Sequence, residues 1–285
     1  MSPRREPADV SPARPAFLYG TAWKEGETKR LVRLALDAGF RGIDTANQRK
    51  HYHEVGVGEA LREAYAAGVV RREDLFLQTK FTHRDGQDHR LPYDEDAPVA
   101  RQVEQSFASS LEHLGTTTLD SYVLHGPSTR DGLAPEDLEA WRAMEAIQAA
   151  GKVRLLGVSN VSRAQLELLC VEAKAPPAFV QNRCYARTGW DRGVRDVCRK
   201  HGIVYQGFSL LTANRRELEL LALRAVAART KLTASQVVFR FALDAGMLPL
   251  TGTGSPVHMR EDLAVVSASA LTPEDFRRVE TIAEG

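Results

Sequence analysis

Polar side chains recur in this chain at points where short apolar runs end. Asp44 ends the run RGID, Lys80 ends LFLQTK and His125 ends LDSYVLH. An aspartate and a lysine at neighbouring strand ends are expected to form a salt bridge, because either charge is costly to bury alone. Such a pair either stabilises the end of the sheet or changes the pKa of a nearby proton donor.

Tyr52 is the candidate for that proton donor, because it lies in the loop that follows the Asp44 strand. The ordinary pKa of a tyrosine, about 10, is too high for efficient acid catalysis at neutral pH. A close ammonium favours the phenolate and lowers this pKa. Lys80 is expected to supply the ammonium, Asp44 to hold Lys80, and His125 to hydrogen-bond the substrate oxygen. The alternative is that Tyr52 is an ordinary loop aromatic.

Eight apolar runs read as buried strands, since each is short and rich in β-branched or aromatic residues. The runs are FLYGTA (17–22), FRGIDT (40–45), LFLQTK (75–80), LDSYVLH (119–125), VRLLGVS (153–159), AFVQNR (178–183), IVYQGFS (203–209) and GMLPLTG (246–252). Segments with helical periodicity separate them, and strict alternation implies parallel strands joined by helical crossovers. Eight such units predict an α/β fold, a closed (β/α)8 TIM barrel in one domain over 17–285. The alternative, an open doubly wound sheet, lacks its G-x-G-x-x-G turn here.

Composition excludes several classes of function. The 38 basic residues nearly balance the 37 acidic ones, so no overall field favours nucleic acid or a membrane surface. No apolar segment approaches the roughly 20 residues that span a bilayer. The three cysteines lack metal-binding spacing and predict a reducing, cytoplasmic location. Residues 1–16, rich in Pro and Arg without an apolar stretch, are expected to form a flexible tail rather than a signal peptide.

The chain resembles the aldo-keto reductase family. The resemblance rests on GTAW (20–23), ALDAGFRGIDTA (35–46), VGEAL (57–61), DLFLQTK (74–80), LDSYVLHGP (119–127), GKVRLLGVSN (151–160), VQN (180–182) and GFSLL (207–211). It implies a (β/α)8 barrel that reduces aldehydes or ketones with NADPH or NADH, acts on a small molecule and is often a monomer. The implied catalytic tetrad is Asp44, Tyr52, Lys80 and His125.

The position of the tyrosine departs from the family pattern. The family has its tyrosine five residues after the aspartate, where this chain has Arg49. The segment between Asp44 and VGEAL is two residues longer than usual. An insertion therefore restores Tyr52 to the tetrad, or His51 takes the place instead.

The resemblance also implies a cofactor bound in extended form across the barrel mouth. Ser159 and Asn160 would hold its carboxamide, together with Gln181 or Asn182. The other implied contacts are Phe208 on the nicotinamide ring, Ser209 and Leu211 on the pyrophosphate, and Thr21 near the ribose. Core packing is the alternative for Phe208.

The segment PLTGTGSPVHMREDL has the features of a phosphate site. Gly252 and Gly254 allow close backbone approach, and Ser255 is a good N-cap residue before Pro256. NADP-preferring relatives place a Lys and an Arg at the positions of Gly252 and His258. Each such contact is worth about 1.5–3 kcal/mol, so NADH is expected to compete unusually well with NADPH.

Neighbouring residues modify that expectation. Thr253, Ser255 and Arg260 offer partial compensation for the missing cations. Asp262 stands where relatives carry Asn on the adenine side, and its charge would oppose a nearby phosphate.

Two tryptophans are candidate substrate contacts, and two rival functions remain open. Trp23 and Trp190 are expected to line the substrate pocket, with packing as the alternative for Trp190. The stretch HYHE lacks a third ligand at metal-binding spacing, so no metal site is expected. The rivals to a reductase are a regulatory subunit that binds the cofactor with little turnover, and a lyase or aldolase using Lys80 as a Schiff base.

Overall fold

The computed structural model of the protein describes residues 14–284. Most of the tail expected over 1–16 therefore lies outside the described residues. Within residues 14–284, eight parallel strands close into a barrel in chain order. The strands are β1 (Leu18–Gly20), β2 (Gly42–Asp44), β3 (Phe76–Phe81), β4 (Leu119–Leu124), β5 (Val153–Ser159), β6 (Phe179–Arg183), β7 (Val204–Phe208) and β8 (Leu248–Thr251). The predicted (β/α)8 barrel is confirmed.

Helices cover the outside of the barrel, as the alternation of periodic segments predicts. Over residues 14–284 they are α1 (Thr28–Ala38), α2 (Glu54–Ala66), α3 (Val99–Leu114), α4 (Pro135–Ala149), α5 (Arg163–Glu172), α6 (Arg192–His201), α7 (Arg215–Leu218), α8 (Leu221–Thr230), α9 (Ala234–Asp244), α10 (Pro256–Ala264) and α11 (Pro273–Glu280). None of these described helices is long and apolar enough to cross a membrane.

Helix α9 was not predicted from the sequence. Its run VVFRFAL is dense in β-branched and aromatic residues, and five apolar residues of the helix are buried. Its start nevertheless carries a capping box, because Thr233 Oγ1 accepts from the backbone N–H of Gln236. That T-x-x-Q spacing is the local signal for a helix.

The barrel interior is apolar at one end and polar at the other. Leu18, Phe76, Phe179 and Leu248 pack together near the amino ends of their strands. Strand register places Asp44 beside Gln78, and paired residues of parallel strands face the same side. The carboxyl ends of the strands therefore bring polar side chains into the barrel at the mouth, where barrel enzymes build their sites.

Candidate active site

A buried ion pair lies at the mouth of the barrel. Lys80 Nζ donates to both carboxylate oxygens of Asp44, at 2.6 and 2.7 Å, and to the carbonyl of Thr45 at 2.8 Å. Burial lowers the pKa of Lys80, while the Asp44 carboxylate opposes that shift. All three N–H bonds of the ammonium are used, and Lys80 does not line the adjoining cavity. This arrangement is unsuited to a Schiff-base lysine.

Tyr52 lies directly above this pair. Its ring is 5.3 Å from Lys80 Nζ, measured to the ring centroid, and meets the His125 ring edge-on at 5.8 Å between centroids. Burial raises the pKa of Tyr52, and the negative charge of Asp44 adds to the shift. The expected lowering of this pKa by Lys80 is not found, because desolvation and the Asp44 carboxylate both raise the pKa. The phenol stays protonated at neutral pH.

His125 is held by a threonine just after β3. Its Nδ1 lies 2.7 Å from Thr82 Oγ1, which leaves Nε2 free of that contact. Burial, with help from the nearby Lys80 and His51, lowers the pKa of His125 to about 3. The imidazole is therefore neutral across the physiological range.

The loop after β2 brings both Tyr52 and His51 to the cavity. His51 stacks on Trp23, with ring centroids 3.8 Å apart, and its Nδ1 lies 2.8 Å from Gln48 Oε1. Tyr52 rather than His51 is the residue beside both His125 and the ion pair. Trp23 is 71% exposed and lines the cavity, so its role as a substrate contact stays a prediction.

A cavity of about 700 Å³ runs from these residues to the loop after β8. Its volume lies within the usual range for small-molecule sites. Many of the residues expected to contact a cofactor line it, namely Ser159, Asn160, Gln181, Phe208, Ser209, Leu211, Gly252, Thr253, His258 and Asp262. A lining that includes both Tyr52 and the residues of the loop after β8 suits an extended dinucleotide.

Adjacent residues of β6 face opposite ways, which separates Gln181 from Asn182. Gln181 lines the cavity. Asn182 points away, where its side chain exchanges hydrogen bonds with the backbone of Val161 and donates to Asp191 at 2.9 Å. The structure therefore removes Asn182 from the expected carboxamide clamp. Ser159 Oγ donates to the carbonyl of Gln181 at 2.6 Å and steadies that residue.

The other end of the cavity is formed by the β8–α10 loop. Ser255 caps α10 by accepting from the N–H of His258, and Thr253 Oγ1 accepts from the N–H of Ser255. Ser255 supports the loop but does not line the cavity. Asp262 is buried and accepts from Thr251 Oγ1 at 2.8 Å. Burial raises the pKa of Asp262 to about 6.

Lys24 is a cation at this loop that the sequence reading missed. Its Nζ donates to the carbonyl of Gly252 at 2.6 Å and lies 5.2 Å from the ring centroid of Tyr19. Burial lowers the pKa of Lys24. No spacing signal in the sequence links residue 24 to residue 252, since the contact joins opposite ends of the chain.

Two further expected contacts lie outside the cavity. Thr21 is fully buried, and its hydroxyl donates to the carbonyl of Asp44 at 3.0 Å, so it supports β2 rather than a ribose. Trp190 is 1% exposed, donates to the carbonyl of Val279 at 2.9 Å and packs on Phe241. The expectation that Trp190 lines the substrate pocket is wrong, and its packing alternative is confirmed.

Helices α9 and α10 add cavity residues that the sequence reading did not identify. They are Thr233, Ser235, Gln236, Phe239 and Glu261. The first four lie on α9 or at its N-cap, and they were overlooked together with that helix. The capping box at the start of α9 is the sequence signal that could have identified them.

Comparisons with known proteins agree with this geometry. The sequence model of the Aldo/keto reductase family matches residues 18–284. "Uncharacterized oxidoreductase YtbE" of Bacillus subtilis (strain 168) is 29% identical, over 90% of this chain and 84% of that protein. An aldo/keto reductase from Brucella melitensis superposes with a TM-score of 0.79 at 26% identity, covering 94% of this chain and 95% of its own. An aldo-keto reductase solved in complex with NADPH has a TM-score of 0.79 at 25% identity, covering 97% and 85%. With nearly the whole barrel matched and its mouth carrying the polar cavity, this chain belongs to the aldo/keto reductase family.

Proposed function

We propose that this aldo/keto reductase reduces an aldehyde or ketone to the alcohol at the barrel mouth, with Tyr52 as the proton donor. The family consists of NAD(P)H-dependent oxidoreductases, so the substrate is a small carbonyl compound and the cofactor a nicotinamide dinucleotide. One observation carries the proposal: Tyr52, His125 and the Lys80–Asp44 ion pair meet at one end of a single cavity.

The chemistry divides between the cofactor and the protein. When bound, the nicotinamide cofactor supplies the hydride for the carbonyl carbon. Tyr52 supplies the proton for the oxygen, because it is the phenol that lies beside both His125 and the ion pair. The phenolate left behind lies beside the Lys80 ammonium, which stabilises the negative charge.

His125 orients the carbonyl in this proposal. Because its pKa is about 3, it acts as a neutral imidazole and does not compete with Tyr52 as an acid. If Nδ1 accepts from the Thr82 hydroxyl, Nε2 carries the proton and donates to the substrate oxygen. Thr82 is thus the residue that selects the useful tautomer.

The lining of the cavity suits both ends of the cofactor. Ser159, Asn160 and Gln181 would hold the carboxamide, and Phe208 would stack on the ring. Gln181 supports this assignment because both its N–H bonds are used inside the barrel, which leaves Oε1 to accept from an amide. The remaining cofactor contacts we propose are Ser209, Leu211, Gly252, Thr253, His258 and Asp262.

We propose that NADPH and NADH are both used. Gly252 offers no side chain to a 2′-phosphate, and His258 offers only a titratable one. Asp262 carries a negative charge above about pH 6, which opposes a phosphate nearby. Lys24 supports retained NADPH use, since it brings one ammonium to the Gly252 carbonyl.

The cellular setting is also inferred. Cys170, Cys184 and Cys198 are all free thiols, and burial raises the pKa of each. Unpaired, unreactive cysteines suit a reducing compartment, so we infer a cytoplasmic location. We further infer no nucleic-acid partner, because the charges balance overall, and a monomer, because the family resemblance implies one.

The experiment that tests the proposal is the Tyr52→Phe variant. We expect carbonyl reduction to fall by about a hundredfold to ten-thousandfold, the usual contribution of a general acid, while cofactor affinity stays unchanged. Steady-state rates with reactive aldehydes and cofactor titrations measure the two quantities. His51→Ala is the matched control from the same loop and should retain proton donation.

Two results would contradict this assignment. Undiminished turnover in Tyr52→Phe, with loss in His51→Ala, would move the proton donor to His51. Cofactor binding by the unaltered chain without turnover of any reactive aldehyde would favour the regulatory-subunit alternative.

A further inference from the structure

Three glutamines form a hydrogen-bonded layer inside the barrel, directly beneath Asp44. Gln78 of β3, Gln181 of β6 and Gln206 of β7 are at most 4% exposed. Gln78 and Gln181 each donate to Asp44 Oδ1, at 2.7 and 3.0 Å. Both also donate to Gln206 Oε1, at 2.8 and 2.9 Å, and Gln206 Nε2 donates to Gln78 Oε1 at 3.0 Å.

The carboxylate sets the direction of every bond in this layer. An ionised carboxylate only accepts hydrogen bonds, so Gln78 and Gln181 must turn their NH₂ groups toward Asp44. Their second N–H bonds then require an acceptor, and Gln206 provides its carbonyl oxygen to both. The amide orientations therefore follow from one charge rather than from packing alone.

The layer also decides the charge state of the ion pair. A buried carboxylate and ammonium tend to exchange the proton and become a neutral acid and a neutral amine, because burial penalises both charges. N–H donors on the carboxylate favour its charged form. Oδ1 of Asp44 accepts one bond from Lys80 and two from the glutamines, an arrangement that favours the charged pair.

We propose that Gln78 and Gln181 are positioning residues for carbonyl reduction, acting through the Lys80–Asp44 pair, and that Gln206 contributes only to the stability of the layer. The inference rests on the proposed function, because Lys80 must remain an ammonium to stabilise the Tyr52 phenolate. Gln78 and Gln206 do not line the cavity, so neither contacts cofactor or substrate. Gln181 both lines the cavity and donates to Asp44, so it links the carboxamide end of the cavity to the ion pair.

The decisive variant is Gln78→Leu, which removes one N–H from Asp44 at nearly constant side-chain volume. The proton of Lys80 Nζ then passes more readily to Asp44 Oδ1, and the neutral amine no longer stabilises a phenolate. We expect kcat to fall by about tenfold to a hundredfold, the range for one charge-assisted hydrogen bond. The KM for the carbonyl and the Kd for cofactor should stay within about twofold.

Two control variants separate positioning from stability. Gln206→Leu breaks three amide–amide bonds of the layer but leaves both donors on Asp44, so kcat should stay within about threefold although the melting temperature falls. Ser121→Ala removes a buried hydroxyl that is beside Gln78 in register and has no hydrogen-bond partner, and it should change neither quantity. Gln78→Met replaces the leucine variant if that variant does not fold, because methionine adapts to irregular space.

The inference is overturned if kcat of the folded Gln78 variant stays within about threefold of the unaltered protein. It is also overturned if Gln78→Leu and Gln206→Leu lose kcat equally, since the effect would then follow stability. Failure of the proposed function is recognised separately, by undiminished turnover in Tyr52→Phe. If Tyr52→Phe loses turnover while Gln78→Leu keeps its kcat, only the positioning role is rejected.

Discussion

Restoring two cations to the β8–α10 loop should convert the enzyme to strong NADPH preference. The perturbation is Gly252→Lys combined with His258→Arg. A β-carbon at residue 252 would lie 3.4 Å from the carbonyl oxygen of Gly20 and 3.7 Å from Lys24 Nζ. Residue 252 does not have the left-handed backbone that disfavours side chains. A lysine there therefore fits with only a small adjustment of Lys24.

The magnitude follows from the number of contacts and from one opposing charge. Two charge-assisted contacts with a 2′-phosphate add about 3–6 kcal/mol, or roughly a hundredfold to ten-thousandfold in affinity. The ammonium of Lys24 already occupies the space next to residue 252 and repels a second ammonium. We therefore expect the lower end, an increase of about a hundredfold in the NADPH-to-NADH ratio of kcat/KM.

The assay is the ratio of kcat/KM for the two cofactors at fixed ionic strength, followed by nicotinamide absorbance. Val266→Lys is the matched control, because it adds a charge at an exposed position after α10 that does not line the cavity. It should leave the ratio within about twofold. An NADPH preference above about a thousandfold in the unaltered chain, or an unchanged ratio in the double variant, would refute the reasoning.

Two other predictions concern the same end of the cavity. Lys24→Met should weaken NADPH binding by about tenfold and NADH binding much less, because Lys24 is the ammonium nearest Gly252; equal losses in cofactor titrations would mean that Lys24 only supports the loop. For Asp262, burial raises the folded-state pKa from 3.8 to about 6, so the protonated acid favours the folded state. This contribution to the free energy of unfolding is fully present below pH 3.8 and is lost as pH rises through about 6. Asp262→Asn should therefore stabilise the protein by up to about 3 kcal/mol more at pH 8 than at pH 4, measured by urea unfolding. The same gain at both pH values would contradict the burial argument.

Much of the fold was predictable because the strands are short apolar runs with polar ends. Strand β5 was predicted over 153–159 and is observed as Val153–Ser159. Helix α9 was missed because its buried run is so apolar that periodicity does not distinguish it from a strand. The capping box formed by Thr233 and Gln236 was the better indicator of a helix at this position.

The site was predictable to the level of the strand end, but less so to the level of the side chain. Asp44 and Lys80 pair as expected, since two opposite charges at one buried position must meet. The choice between Gln181 and Asn182 depends on which face of β6 turns inward, and motif spacing does not determine that. Contacts between distant parts of the chain, such as Lys24 with Gly252, follow only from closure of the barrel.

In the short segment from Gln78 to Thr82, every second side chain contacts a residue of the proposed catalytic site. Gln78 donates to Asp44, Lys80 pairs with it, and Thr82 holds His125. Because side chains alternate with a period of two, sliding this strand by one residue would turn all three outward together. Variation among related enzymes should therefore be tolerated in the surrounding loops, whereas a single-residue insertion within β3 would remove the carboxylate's partners and the imidazole's anchor in one step.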